Sequence, residues 1–142
     1  LLYRKAARLW TANLGAGKPY DEDIDARLED WLAYRNYVHL KKNTAAKRML
    51  DNIISFSENE NGGKHLKPSA NSLVTALTLK EAGKEDEAKN YLQQLSTENP
   101  ANVWAQWAAH RYDRETYELP QGNTLNDNYT MLKRWMEFDE VK

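Results

Sequence analysis

Apolar residues return every three or four positions along almost the whole chain, which is the spacing of one helix face. Tyr3, Ala6, Ala7 and Trp10 share such a face, and the Gly15-Ala16-Gly17 stretch ends it. A second helix is predicted from about Asp23 to Leu40, with Ile24, Leu28, Trp31, Leu32, Tyr34 and Val38 as its apolar stripe. A third runs from about Thr44 to Ser57 and carries Met49, Leu50, Ile53, Ile54 and Phe56. Glu58 to Pro68 reads as a polar loop, most flexible at Gly62-Gly63. Ser69 to Ala82 is helical again and Gly83 stops it. Glu85, Asp86 and Glu87 then fill the first turn of a helix bearing Ala88, Tyr91, Leu92 and Leu95, which stops before Asn99-Pro100. Trp104, Trp107, Ala108 and Tyr112 mark a sixth helix, ending before Leu119-Pro120. A seventh, from about Leu125 to Glu137, presents Met131, Leu132 and Trp135, with Phe138 just beyond. Strand alternation is nearly absent. The expected fold is all-α, with about seven helices in antiparallel hairpins.

The second half contains the clearest internal pattern. In KEAGKEDEAKNYLQQLSTENP, Gly83 stands five residues before Ala88, Leu92 four after it and Pro100 twelve after it. A small Ala lets two helices of a hairpin approach closely, a larger apolar residue one turn later fills the gap, and Pro ends the unit. This stretch resembles the second half of a tetratricopeptide repeat, marked by W-x2-L-G-x2-Y, then A-x3-F, then P. Ala6-x3-Trp10 followed by Pro19 resembles the closing helix of an earlier unit. Trp31-x2-Tyr34 followed by Ala46-x3-Leu50 resembles a degenerate full unit, and Trp104-x2-Trp107-Ala108 the opening of another. Asn71 to Lys80 lacks the W-x2-L-G pattern. The three marker alanines are 40 and 42 residues apart (Ala6, Ala46, Ala88), against a family period of 34. The excess is assigned to the polar loops 14–21 and 59–68. The resemblance implies a right-handed α-α superhelix spanning 1–142 as a single domain, with a groove that holds a protein segment. A HEAT-like antiparallel stack is the alternative at these longer spacings. Because the chain opens at Leu1 instead of Met, it is expected to be the internal or C-terminal part of a longer chain.

Composition narrows the function. Of 142 residues, 41% are hydrophobic and 29% charged, the profile of a folded domain. Lys plus Arg number 20 and Asp plus Glu 21, so bulk charge does not hold this chain to nucleic acid or acidic lipid. The balance conceals a gradient: residues 1–68 carry 12 basic and 9 acidic residues, and 69–142 carry 8 and 12. The basic group Lys41, Lys42, Lys47 and Arg48 reads as a solvated turn. No cysteine is present, which excludes disulfides, thiolate zinc sites and a cysteine nucleophile. No apolar run approaches the ~18 residues of a membrane span.

Local motifs for chemistry fail on spacing. Gly17-Lys18 and Gly63-Lys64 lack the upstream glycine and the following Ser or Thr of a phosphate loop. Asp21, Asp23 and Asp25 open like a calcium loop, but Ala26 and Leu32 stand where a turn glycine and a bidentate glutamate are needed. Their expected role is to cap and support the helix beginning there. His110 and Asp113, one turn apart, supply two metal ligands at most, without a neighbouring third. The serines lie in no nucleophile-elbow context. No cofactor is expected.

The candidate partner-binding residues form two groups. Leu73, Leu77 and Lys80 lie along one helix, where the resemblance places a groove. A carboxylate clamp there would need Lys, Asn and Arg, so the face should instead favour an apolar segment. Trp104, Trp107 and Arg111 lie along another helix; Trp and Arg are frequent interface anchors, although both tryptophans also stand where the repeat pattern wants core residues. The functional expectation is a non-catalytic helical-repeat module contacting a protein or peptide segment, or ordering neighbouring domains of one longer chain. The alternative, suggested by five Trp and eight Tyr, is an accessory helical region of a larger, carbohydrate-active enzyme.

Overall fold

The computed structural model describes residues 25–62, 67–123 and 126–140. The predicted helix from Tyr3 to Trp10 lies outside them, as do Gly17-Lys18, Asp21, Asp23 and Gly63-Lys64. Among the described residues there are six α-helices, one 3-10 turn and no strand. The helices are α1 (Arg27–His39), α2 (Asn43–Gly62), α3 (Asn71–Glu81), α4 (Glu85–Glu98), α5 (Val103–Tyr112) and α6 (Asp127–Glu140), with the 3-10 turn at Gln121–Asn123. The chain divides into two compact units, Leu1–His65 and Leu66–Lys142.

In the first unit α1 and α2 pack closely as a hairpin. Leu28, Trp31, Leu32 and Ala33 of α1 and Ala46, Met49 and Ile53 of α2 are buried, the two apolar stripes read from the sequence. The start of α1 lies beside the later part of α2, where the Arg27 guanidinium stands 4.7 Å over the Phe56 ring. Arg27 is buried because Asp25 neutralises it: Nε and Nη2 donate to the two carboxylate oxygens at 2.9 and 2.8 Å. Asp25 thus holds a side chain and also supports the helix start by accepting from the Arg27 N–H at 3.3 Å, and the helix begins at Arg27, not at Asp23.

The loop expected from Glu58 is helix as far as Gly62. Extending a formed helix fixes few new degrees of freedom per hydrogen bond gained, so a polar segment continues it until a strong breaker arrives. Gly62-Gly63 is the first such breaker. Ser57 adds no obstacle, since its buried hydroxyl donates to the Ile53 carbonyl at 3.0 Å.

In the second unit α3 packs on both α4 and α5, and α4 on α5. Ser69 and Ser72 start α3 reciprocally. The Ser69 hydroxyl accepts from the Asn71 N–H at 3.1 Å and the Ser72 hydroxyl from the Ser69 N–H at 3.0 Å. Almost every residue of α3 from Asn71 to Thr78 is buried, which suits its weakly amphipathic sequence. By contrast α4 buries only Ala88, Tyr91, Leu92 and Leu95, one clean stripe.

Three helices close with one device. The amides of Lys41, Gly83 and Arg114 bond to the carbonyls of Val38, Lys80 and Arg111 at 3.1, 3.1 and 3.0 Å. The next amides, of Lys42, Lys84 and Glu115, reach back to Tyr37, Leu79 and His110 at 2.9, 2.8 and 2.8 Å. This double bond pattern is the Schellman motif, and it puts its pivot residue in the left-handed region. The φ angles are +58° at Lys41, +79° at Gly83 and +62° at Arg114. Lys41 and Gly83 are 42 residues apart, and so are the buried pairs Ala46 with Ala88 and Ile53 with Leu95. The α1–α2 and α3–α4 hairpins are therefore built in one register.

Candidate functional site

A third hairpin in that register would place a small residue five positions after Arg114, matching Ala46 after Lys41 and Ala88 after Gly83. The position is instead Leu119, and Pro120 follows it. Leucine prevents a close helix approach and proline bars the helix itself. The chain stays irregular from Glu115 to Pro120, passes through the 3-10 turn Gln121–Asn123, and the next α-helix described is Asp127–Glu140. Leu119 is buried all the same, and the Tyr117 ring packs on His110 with centroids 4.9 Å apart. His110 is held for this contact by its Nδ1, which donates to the Gln106 carbonyl at 2.8 Å.

Between α5, this irregular segment and α6 lies a cleft of about 460 Å³. From α5 come Trp107 and Arg111, four residues apart on one face. Asn102 starts α5 by accepting from the Trp104 and Ala105 amides at 2.8 and 3.4 Å, which places that face. From α6 come Tyr129, Lys133, Met136 and Glu137, again one helical face, started by Asn126 accepting from the Tyr129 amide at 3.0 Å. The irregular segment supplies Thr116, Tyr117, Glu118 and Leu119.

The floor is aromatic and already packed. Trp104, Trp107 and Tyr129 form a triangle of edge-to-face rings with centroids 5.5–5.7 Å apart. Trp107 is 2% exposed and Trp104 half-buried. Above them Arg111 donates to the Glu115 carbonyl at 3.3 Å and approaches the Met136 sulfur at 3.9 Å. The rim carries both signs of charge: Arg111 and Lys133 against Glu118 and Glu137. Such a lining offers apolar contact, fixed hydrogen-bond donors and charges of either sign, which suits binding.

Of the residues singled out by sequence, Trp107 and Arg111 line this cleft and Trp104 supports it through Tyr129. The α3 group does not join them. Leu73 is fully buried in the packing of α3 and so presents no surface to a partner. Leu77 is half-buried, and exposed Lys80 sits 5.7 Å from the Tyr112 ring. Burial, then Glu85 and Asp113, push the Tyr112 phenol above its ordinary pKa. The α6 and 116–119 contributions were missed. The stripe of Tyr129, Lys133, Met136 and Glu137 has helical spacing, but its mixed polarity gives no hydrophobic signal.

No protein-family model matches this sequence, and no curated protein or solved structure matches it significantly. Its site must be weighed on its own chemistry. Among the described residues no group of three or more His, Asp or Glu is placed to hold a metal ion, and Asp113, the proposed partner of His110, is exposed at the end of α5. No helix of the described residues is long and apolar enough to cross a membrane. Among the described residues the most perturbed carboxyl is Asp30 in α1, raised to about 8 by burial and then by Glu29 and Asp25. It is 1% exposed, so a ligand would reach it only if the hairpin opened.

Proposed function

We propose that this chain is a non-catalytic, tetratricopeptide-like module whose helix hairpins stack as a right-handed superhelix over 1–142 and engage a protein or peptide segment, or neighbouring domains of a longer chain. The observation that carries the reading is the shared 42-residue register of two hairpins, followed by a third that Leu119-Pro120 holds open. Repeat proteins build binding surfaces from such successive units. In this reading Arg111 and half-buried Trp104 mark the principal contact region, Trp107 forms the buried floor beneath them, and half-buried Leu77 with exposed Lys80 makes a separate strip. Nucleic acid is not its partner, since the charges balance.

Display selection of random decapeptides against the full chain, run beside a glycan array, tests this. A peptide consensus with saturable one-to-one binding by calorimetry is the expected result. Glycan binding without peptide enrichment overturns it in favour of the carbohydrate-linked alternative.

A further inference from the structure

The cleft has one wall unlike the other two. Residues Thr116 to Leu119 form neither helix nor strand, and among the described residues none of their backbone N–H or C=O groups makes an intramolecular hydrogen bond. Backbone polar groups are almost always paired, so a run left to solvent beside a cavity is open to pairing from outside. Burial along the run alternates: Thr116 and Glu118 are exposed, Tyr117 half-buried and Leu119 buried. Alternation with a period of two belongs to extended chain. Thr and Tyr also favour strands, and Pro120 ends the run.

We infer that the cleft binds an extended peptide segment of a partner protein, which pairs through its backbone with residues 116–119 and lodges an apolar side chain against Leu119 and Met136. This rests on the protein-binding reading above and specifies where and how the partner is held. The rim favours a segment carrying both charges: an acidic side chain answers Lys133, and a basic one answers Glu118 and Glu137. A saccharide fits the same wall poorly. Sugars stack on open aromatic faces, whereas Trp104, Trp107 and Tyr129 already occupy one another edge to face, with Trp107 only 2% exposed.

The test uses the full chain, labelled with nitrogen-15, and the heptapeptide acetyl-Val-Lys-Val-Leu-Val-Glu-Val-amide. A second heptapeptide has the same side chains but N-methyl groups on alternate residues, which removes its pairing donors. Maltotriose is the third probe. The amides of 116–119 are expected to shift and to exchange more slowly with the first peptide, and to respond about tenfold more weakly to the N-methylated one. Glu118→Pro removes a donor that the fold does not use, and should weaken binding about tenfold while leaving the circular dichroism unchanged. Lys133→Glu, on an exposed position, should weaken binding and be rescued by a peptide whose Glu is replaced by Lys.

Equal affinity for the N-methylated peptide, or shifts confined to the Leu77–Lys80 strip, overturns the inference but leaves the protein-binding reading intact. Saturation by maltotriose with no response to any peptide, the displayed consensus included, overturns both. Shifts at 116–119 that grow with protein concentration alone identify a second copy as the occupant and overturn the peptide assignment.

Discussion

Asp30→Asn should stabilise the α1–α2 hairpin, and by an amount that depends on pH. Asp30 lies in the first turn of α1, where a carboxylate gains about 0.3–1 kcal/mol from the helix dipole. Its burial opposes that gain and wins. The side chain is 1% exposed, and among the described residues its Oδ1 has no hydrogen-bond partner. Burial first, then the charges of Glu29 and Asp25, raise its pKa from 3.8 to about 8. In the folded state the acid is therefore neutral at pH 7, while in the unfolded chain it is ionised. Between those two pKa values the unfolded state binds fewer protons, so stability falls as pH rises from about 4 to about 8 and levels off beyond. Each pH unit in that window costs about 1.4 kcal/mol, which amounts to about 4 kcal/mol by pH 7. Asparagine has the shape of the protonated acid and cannot ionise. At pH 4 the variant should match the parent protein, and at pH 7 it should exceed it by about 4 kcal/mol, a rise in urea midpoint of about 2 M. Urea titrations followed by circular dichroism at pH 4.5, 7 and 9 measure this, with amide exchange of α1 confirming where the change lies. Taking the difference between the two proteins cancels the titrating groups that do not interact with Asp30. Parallel pH profiles would refute the reasoning, because they would mean that the Asp30 carboxylate is solvated or paired in the folded protein.

Other substitutions test the packing argument. Lys41→Gly relieves a left-handed backbone at φ +58° and should raise stability by about 1 kcal/mol, whereas Gly83→Ala, at φ +79°, should lower it by a similar amount despite the open space around that position; urea midpoints that move in the reverse order would contradict the closing motif. Ala88→Leu forces a large side chain into a fully buried site between close helices and should cost about 1–3 kcal/mol, read by thermal melting; a neutral result would show that the small residue is not what sets the approach. Trp107→Ala should cost about 3–5 kcal/mol and half-buried Trp104→Ala clearly less, so equal losses in denaturation would mean the two rings share one environment.

The cleft was only partly legible in the chain. Trp107 and Arg111 stood out because Trp and Arg on one helical face are recognisable without a partner in view. Tyr117, Tyr129 and Met136 did not, since their roles depend on what lies opposite them. Leu73 illustrates the opposite error: an apolar residue on a helical face reads the same whether that face is a groove or packed interior, and here it is interior. The Glu58 boundary failed for a local reason, because polarity alone does not end a helix that has already formed.

What the amino-acid order determined by itself is the helical content and the hairpin register. Both follow from short-range rules: apolar spacing selects the buried face, and Ala46, Ala88 and Gly83 set where two helices meet and where one ends. Tertiary structure alone decided three things. It buried Arg27 against Phe56 with Asp25 as its counter-ion, and it buried Asp30 with no hydrogen-bond partner for its Oδ1 among the described residues. It also held α6 against α5 through aromatic rings, leaving a cleft beside them. The charged neighbours Asp25 and Glu29 are local in sequence, but the burial that makes them matter, the Phe56 ring under Arg27 and the rings joining α5 to α6 come from packing between separate parts of the chain.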